Sequence, residues 1–151
     1  MQSVVSSLET HLGYWLRLVS NHVSQAFARK LSASGVTVAE WVMLREMFDA
    51  TELAPSELAA RTGLTRGAVS KLVERLVEKK LVRRDAAEDD GRYQRVALTA
   101  IGRRGVPKLA ALADWNDEEF FAALSKAERE VMRNLMKKLV QANGLHTKPT
   151  E

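Results

Sequence analysis

Apolar residues recur at three- and four-residue steps from near the start of the chain: Leu8, Leu12, Trp15, Leu16, Val19, Val23, Ala26, Phe27 and Leu31. That period predicts one long amphipathic helix from Leu8, ending near Ser34-Gly35, with a stripe longer than a small domain can bury. Thr37 and Glu40 have capping-box spacing, and Val36 with Trp41 suits a hydrophobic staple, so a second helix is expected from Val38 to about Ala50. Pro55 fits the first turn of a short third helix ending at Thr62-Gly63. Thr65 can cap a fourth, running to about Lys79, with Ala68, Val69, Leu72, Val73 and Leu76 turned inward.

The period then changes. Leu81 to Asp85 and Tyr93 to Leu98 read as paired strands around the polar loop Ala86 to Gly91. Thr99 can cap a fifth helix reaching about Leu124, in which Pro107 removes a backbone donor and predicts a bend near Arg103 to Pro107. Ser125 and Glu128 form another capping box, opening a sixth helix with Val131, Leu135, Leu139 and Ala142 on one stripe and Gly144 past its end. The tail from His146 to Glu151 reads as mobile. Between the third and fourth helices, Ala59, Gly63 and Val69 supply a small residue at a close approach, a turn residue and a buried apolar residue. That is the frame of a helix-turn-helix DNA reader.

Charge sharpens this reading. Residues 53–105 hold 12 Lys/Arg against 7 Asp/Glu, whereas residues 1–52 hold 4 against 5 and residues 106–151 hold 7 against 7. A positive centre between neutral flanks suits a polyanion-binding module on a neutral scaffold, although a solvated surface segment can carry the same excess. Outward on the fourth helix stand Arg66, Ser70, Lys71, Glu74, Arg75 and Glu78. Thr65, Arg66, Gly67, Ser70 and Lys71 near its start combine donors, cations and a glycine that permits close backbone approach, as a helix in a major groove requires. Plain solvation accounts for Glu74 and Glu78 better. Arg83, Arg84, Arg92 and Arg95 gather on the hairpin, where one can enter a minor groove and others meet phosphates. Glu88, Asp89 and Asp90 oppose that, unless Asp90 orients Arg92 or pairs with a neighbouring cation.

These features together resemble the MarR family of winged helix-turn-helix transcriptional regulators. The likeness covers nearly the whole chain, in helix order, in Asp90-Gly91-Arg92 at the wing tip and in Leu98-Thr99-Ala100-Ile101-Gly102 opening the fifth helix. It implies a mainly α fold with a small β-hairpin wing and a helical dimerisation region. The division expected is 1–36 as an N-terminal dimerisation helix, 37–100 as the DNA-binding domain, 101–145 as C-terminal dimerisation helices and 146–151 as the tail. The resemblance further implies a homodimer on a near-palindromic operator in double-stranded DNA, acting as a repressor that a small ligand releases. Lys80 departs from the pattern, because the family often has a glycine ending the recognition helix. A left-handed lysine there would cost roughly 1 kcal/mol. Trp15, Asn21, His22, Trp41 and Arg45 lie near the cleft where relatives bind aromatic acids, and form a candidate ligand pocket, although buried tryptophans and lone histidines more often serve packing.

Other chemistry finds little support. The chain has no Cys, which removes disulfides and thiolate metal sites. His11, His22 and His146 form no ligand set, since His11 and His22 are about three helical turns apart. No Walker loop or dinucleotide fingerprint is present, so neither enzyme nor cofactor is expected. No apolar run approaches the ~20 residues of a membrane span, and Met1 to Ser7 lack the basic start of a secretion signal, so a cytoplasmic location is expected. The competing function is a protein-binding adaptor, or a nonspecific DNA binder, on the same frame.

Overall fold

The computed structural model describes residues 5–86 and 94–151. In chain order these form α1 (Leu12–Ser32), α2 (Val38–Phe48), α3 (Pro55–Thr62), α4 (Arg66–Glu78), β1 (Val82–Ala86), β2 (Gln94–Leu98), α5 (Ala100–Phe120) and α6 (Lys126–Ala142). A 3-10 turn at Leu8–Thr10 precedes α1, and His11 between them is extended. The single helix expected from Leu8 is therefore broken at His11. Thr10 Oγ1 donates to the Ser7 carbonyl at 2.7 Å and Trp15 Nε1 to the Glu9 carbonyl at 2.8 Å, drawing those acceptors away from a regular helical ladder.

Both capping boxes form. The Thr37 hydroxyl accepts from Glu40 N–H while the Glu40 carboxylate accepts from Thr37 N–H, and Ser125 and Glu128 repeat the exchange. The core lies in the central region, where Met43, Leu44 and Met47 of α2, Leu58 of α3, Val69, Leu72, Val73 and Leu76 of α4, and Val82, Val96 and Leu98 of the hairpin are buried. Val36 is buried, and Trp41 packs partly against the same cluster. β1 and β2 pair antiparallel, Val82 opposite Leu98 and Arg84 opposite Val96, and Leu53 adds a bridge to Val96 through bonds of 2.9 and 2.8 Å.

β1 starts one residue later than predicted because Leu81 closes α4. Its N–H donates to the Leu76 carbonyl at 3.0 Å and that of Lys80 to Val77 at 2.9 Å, the bonds of a Schellman end, with Lys80 left-handed at φ 61°. Lysine thus occupies a conformation that glycine adopts freely. Lys80→Gly relieves about 1 kcal/mol of strain and adds somewhat less freedom to the unfolded chain, so a net gain of about 0.5 kcal/mol is expected. Thermal melting that shows a loss would overturn this.

α5 runs through Pro107 and ends at Phe120, short of the predicted Leu124. The intervening turn is held by Arg129, whose Nε donates to the carbonyls of Phe121 and Leu124 at 3.1 and 3.2 Å. After α6 the chain turns at Gly144, and Lys148 N–H donates to the Thr62 carbonyl at 2.8 Å while its ammonium pairs with Glu46. Thr147 lies over Gly63, where an added Cβ would come within 2.8 Å of its Cα. Residues 146–148 are tied to the end of α3 because that helix terminus has a carbonyl to satisfy.

The outer helices are packed differently. α6 has no buried residue and α1 buries only Leu31, leaving Leu12, Leu16, Val131, Leu135 and Leu139 more than half exposed. Among the described residues no helix is long and apolar enough to cross a membrane.

Candidate nucleic-acid interface

The helix-turn-helix is built by local chemistry. Ala54 N–H donates to the Glu57 carboxylate at 2.9 Å to open α3, and Gly63 at φ 72° turns the chain out of it. Thr65 then caps α4 by accepting from Ala68 N–H at 3.1 Å, which leaves its own O–H to donate. Val69, Leu72, Val73 and Leu76 bury one side of α4, and so Thr65, Arg66, Gly67, Ser70, Lys71 and Arg75 stand exposed on the other. Nothing lies within 4 Å of a Cβ built on Gly67, and the first turn holds no carboxylate. The positive end of the helix and the Arg66 guanidinium therefore present the same sign of charge outward.

The arginines around this face divide in two. Among the described residues, Arg66, Lys71 and Arg75 enter no ion pair. Arg83 pairs with Asp85 at 2.8 Å, and Arg95 lies 3.4 Å from Glu52 and 3.6 Å from Glu57. Arg95, expected to contact DNA, is partly exposed on β2 with these two carboxylates beside it. Arg84 is exposed on β1. Arg92, with Glu88, Asp89, Asp90 and Gly91, lies outside the described residues.

Two joints have no counterpart in the sequence reading. Glu40 is 1% exposed, and the oxygen that accepts Thr37 N–H also accepts Lys79 Nζ at 2.7 Å, bolting the start of α2 to the end of α4. Arg103 donates to the carbonyls of Phe48 and Ala50 at 3.0 and 3.3 Å, joining α5 to the end of α2. The capping box marked Glu40, but no local signal names its distant cation.

Of the candidate ligand residues, Trp15 and Trp41 lie far apart within one chain. Trp41 packs edge-on to Phe27 with ring centroids 6.5 Å apart, whereas Trp15 sits twelve residues before Phe27 on α1, roughly 18 Å along the axis. Asn21 and His22 are exposed on α1, His22 facing the Leu18 carbonyl at 2.8 Å, and Arg45 is paired with Asp49 at 2.7 Å. The groove of about 470 Å³ between α1 and α5 is lined by other residues, among them Lys30, Leu112 and Trp115. Among the described residues, no group of three or more His, Asp or Glu is arranged to hold a metal ion.

An exposed cationic helix seated on a two-stranded wing defines a winged helix-turn-helix protein. A family model described as MarR family matches residues 34–92. A proposed transcriptional regulatory protein for the hcr operon of Thauera aromatica is 31% identical over 142 residues, covering 93% of this chain and 86% of that relative. Among solved structures, a mutant MarR from Escherichia coli complexed with operator DNA superposes with a TM-score of 0.77 at 25% identity, over 85% of this chain and 93% of that one. A MarR family protein of Mycobacterium tuberculosis in complex with salicylic acid gives 0.67 at 28% identity, over 85% and 96%. The chain belongs to the MarR family, and is a transcriptional regulator rather than an enzyme.

Proposed function

We propose that this protein is a homodimeric repressor that sets α4 of each subunit into successive major grooves of a near-palindromic operator and is released by a small aromatic carboxylate. The observation that carries the DNA reading is the contrast on the reader's surface. Arg66, Lys71 and Arg75 face outward without a described acidic partner, while Arg83 and Arg95 nearby have carboxylates beside them. Thr65, Gly67 and Ser70 complete the base-reading end, with Arg84 and Arg92 as the wing's contacts to the backbone or minor groove.

Residues 37–100 form the reader in this scheme, and residues 1–36 and 101–145 the dimer arms. Support for the dimer is the exposed apolar stripe on α1 and α6, with Leu12 at 88% and Leu135 at 58% exposure, surface of a kind that seeks a partner. A two-fold dimer reads a two-fold operator. Such a role places the protein in the cytoplasm with the chromosome.

The ligand class follows from the relative solved with salicylic acid. Since Trp15 lies far along α1 from Trp41 in one chain, the reading has α1 of one subunit bring Trp15 to the pocket of the other. Stacking faces and a few placed donors then suit a planar anion. Release by 100-fold corresponds to roughly 2.7 kcal/mol of coupling, and coupling is reciprocal. Calorimetry with salicylate is expected to show tighter binding to free protein than to the operator complex, with affinity reduced in His22→Ala and Arg45→Ala. Equal affinity for both forms, or no binding to either, would contradict the ligand reading.

A further inference from the structure

We infer that the pair formed by buried Glu40 and the solvent-edge Lys79 is the positioning joint that sets the angle of the recognition helix, and through it the half-site spacing the dimer accepts. This rests on the DNA reading above. The joint has three parts. Glu40 is almost fully buried at the start of α2, and one carboxylate oxygen takes both Thr37 N–H at 3.0 Å and Lys79 Nζ at 2.7 Å. The same ammonium donates to the Gly35 carbonyl at 2.6 Å. Gly35 is left-handed at φ 71° in the corner where α1 becomes α2.

Lys79 is the C-cap of α4, so one cation ties the far end of the recognition helix to the corner between the dimer arm and the reader. The reading residues lie at the opposite end, from Thr65 to Lys71. α4 spans 13 residues, or about 20 Å at 1.5 Å per residue. A tilt of about 10° at the pinned end moves the reading end by about 3.5 Å, close to the 3.4 Å rise of one base pair. Apolar packing of Val69, Val73 and Leu76 fixes how deeply α4 sits. A charged bond has direction, and fixes where its end points.

Substitution must avoid stranding a buried charge, which would simply unfold the reader. Glu40→Gln keeps an acceptor for the capping box, since Gln serves at that position, and Lys79→Met keeps the aliphatic stem. The double variant therefore removes the ionic joint and retains the cap and the packing. A duplex enriched by the wild-type protein from a random pool is re-synthesised with the distance between half-sites changed by one base pair either way. Wild type is expected to lose at least tenfold in affinity on either change, and the double variant less than threefold, with its best affinity about tenfold below wild type. If the double variant fails to melt cooperatively, Glu40→Gln alone is measured, with the same flattening expected to a smaller extent.

A variant that folds and keeps the wild-type spacing profile overturns the inference by itself. Failure of the wild-type protein to enrich any duplex overturns the DNA reading, and this inference with it.

Discussion

Gly102→Ala is expected to cost about 3–5 kcal/mol. A Cβ at Gly102 would lie 2.0 Å from the Leu81 carbonyl oxygen and 3.0 Å from its carbon. Neither atom can retreat easily. The Leu81 carbonyl accepts Thr99 N–H at 3.0 Å, Leu81 N–H closes α4 on Leu76, and Thr99 Oγ1 donates to the Lys80 carbonyl at 2.7 Å. Overpacking alone typically costs 1–3 kcal/mol, and each buried hydrogen bond broken to relieve it adds about 1 kcal/mol more. Against a typical total of about 5–15 kcal/mol, that is a large fraction. Gly105 in the same helix has nothing within 4 Å of its Cβ position. Gly105→Ala is therefore the control, expected to raise stability by about 0.5–1 kcal/mol. Urea denaturation of the two variants decides it, and equal behaviour would show that the contact at Leu81 is not limiting.

The second large effect concerns charge. Replacing Arg66, Lys71 and Arg75 together by alanine is expected to lower operator affinity by on the order of 10³-fold or more, with no loss of thermal stability. All three are exposed, and none has an acidic partner among the described residues, so removing them leaves the core untouched. A dimer loses six cations by this change. With a slope of about 0.9 per phosphate contact, the salt dependence should flatten by several units of log K against log salt if most of the six meet phosphates. Anisotropy titrations between 50 and 200 mM salt measure both quantities. Lys126→Ala, at the start of α6, should change neither, and equal losses from the two would move the DNA face elsewhere.

What was legible in the sequence was mostly local. Thr37 with Glu40, Ser125 with Glu128, Pro55 at a helix start and Gly63 at a helix end act within one turn of chain, and each formed as read. The inward stripe Val69, Leu72, Val73 and Leu76 was readable because burial follows helical period. Contacts between distant segments were not. Neither the carboxylates of Glu52 and Glu57 beside Arg95 nor the bond from Lys148 N–H to the Thr62 carbonyl had a local signal. His11 broke a helix whose apolar period continues through it, since periodicity reports burial and not the local hydrogen bonds of Ser7 and Thr10. The proposed ligand residues share a neighbourhood in sequence, but α1 is one continuous helix that carries Trp15 away from Trp41.

The most direct measurement is selection of double-stranded DNA from a random pool by the wild-type protein, followed by titration and light scattering of the complex. The expected result is a two-fold-symmetric sequence bound by two chains per duplex, with half-sites about one helical turn apart and affinity falling by about 10³ to 10⁵ between 50 and 200 mM salt. Enrichment of no sequence, or binding by a single chain with affinity indifferent to salt, would contradict it.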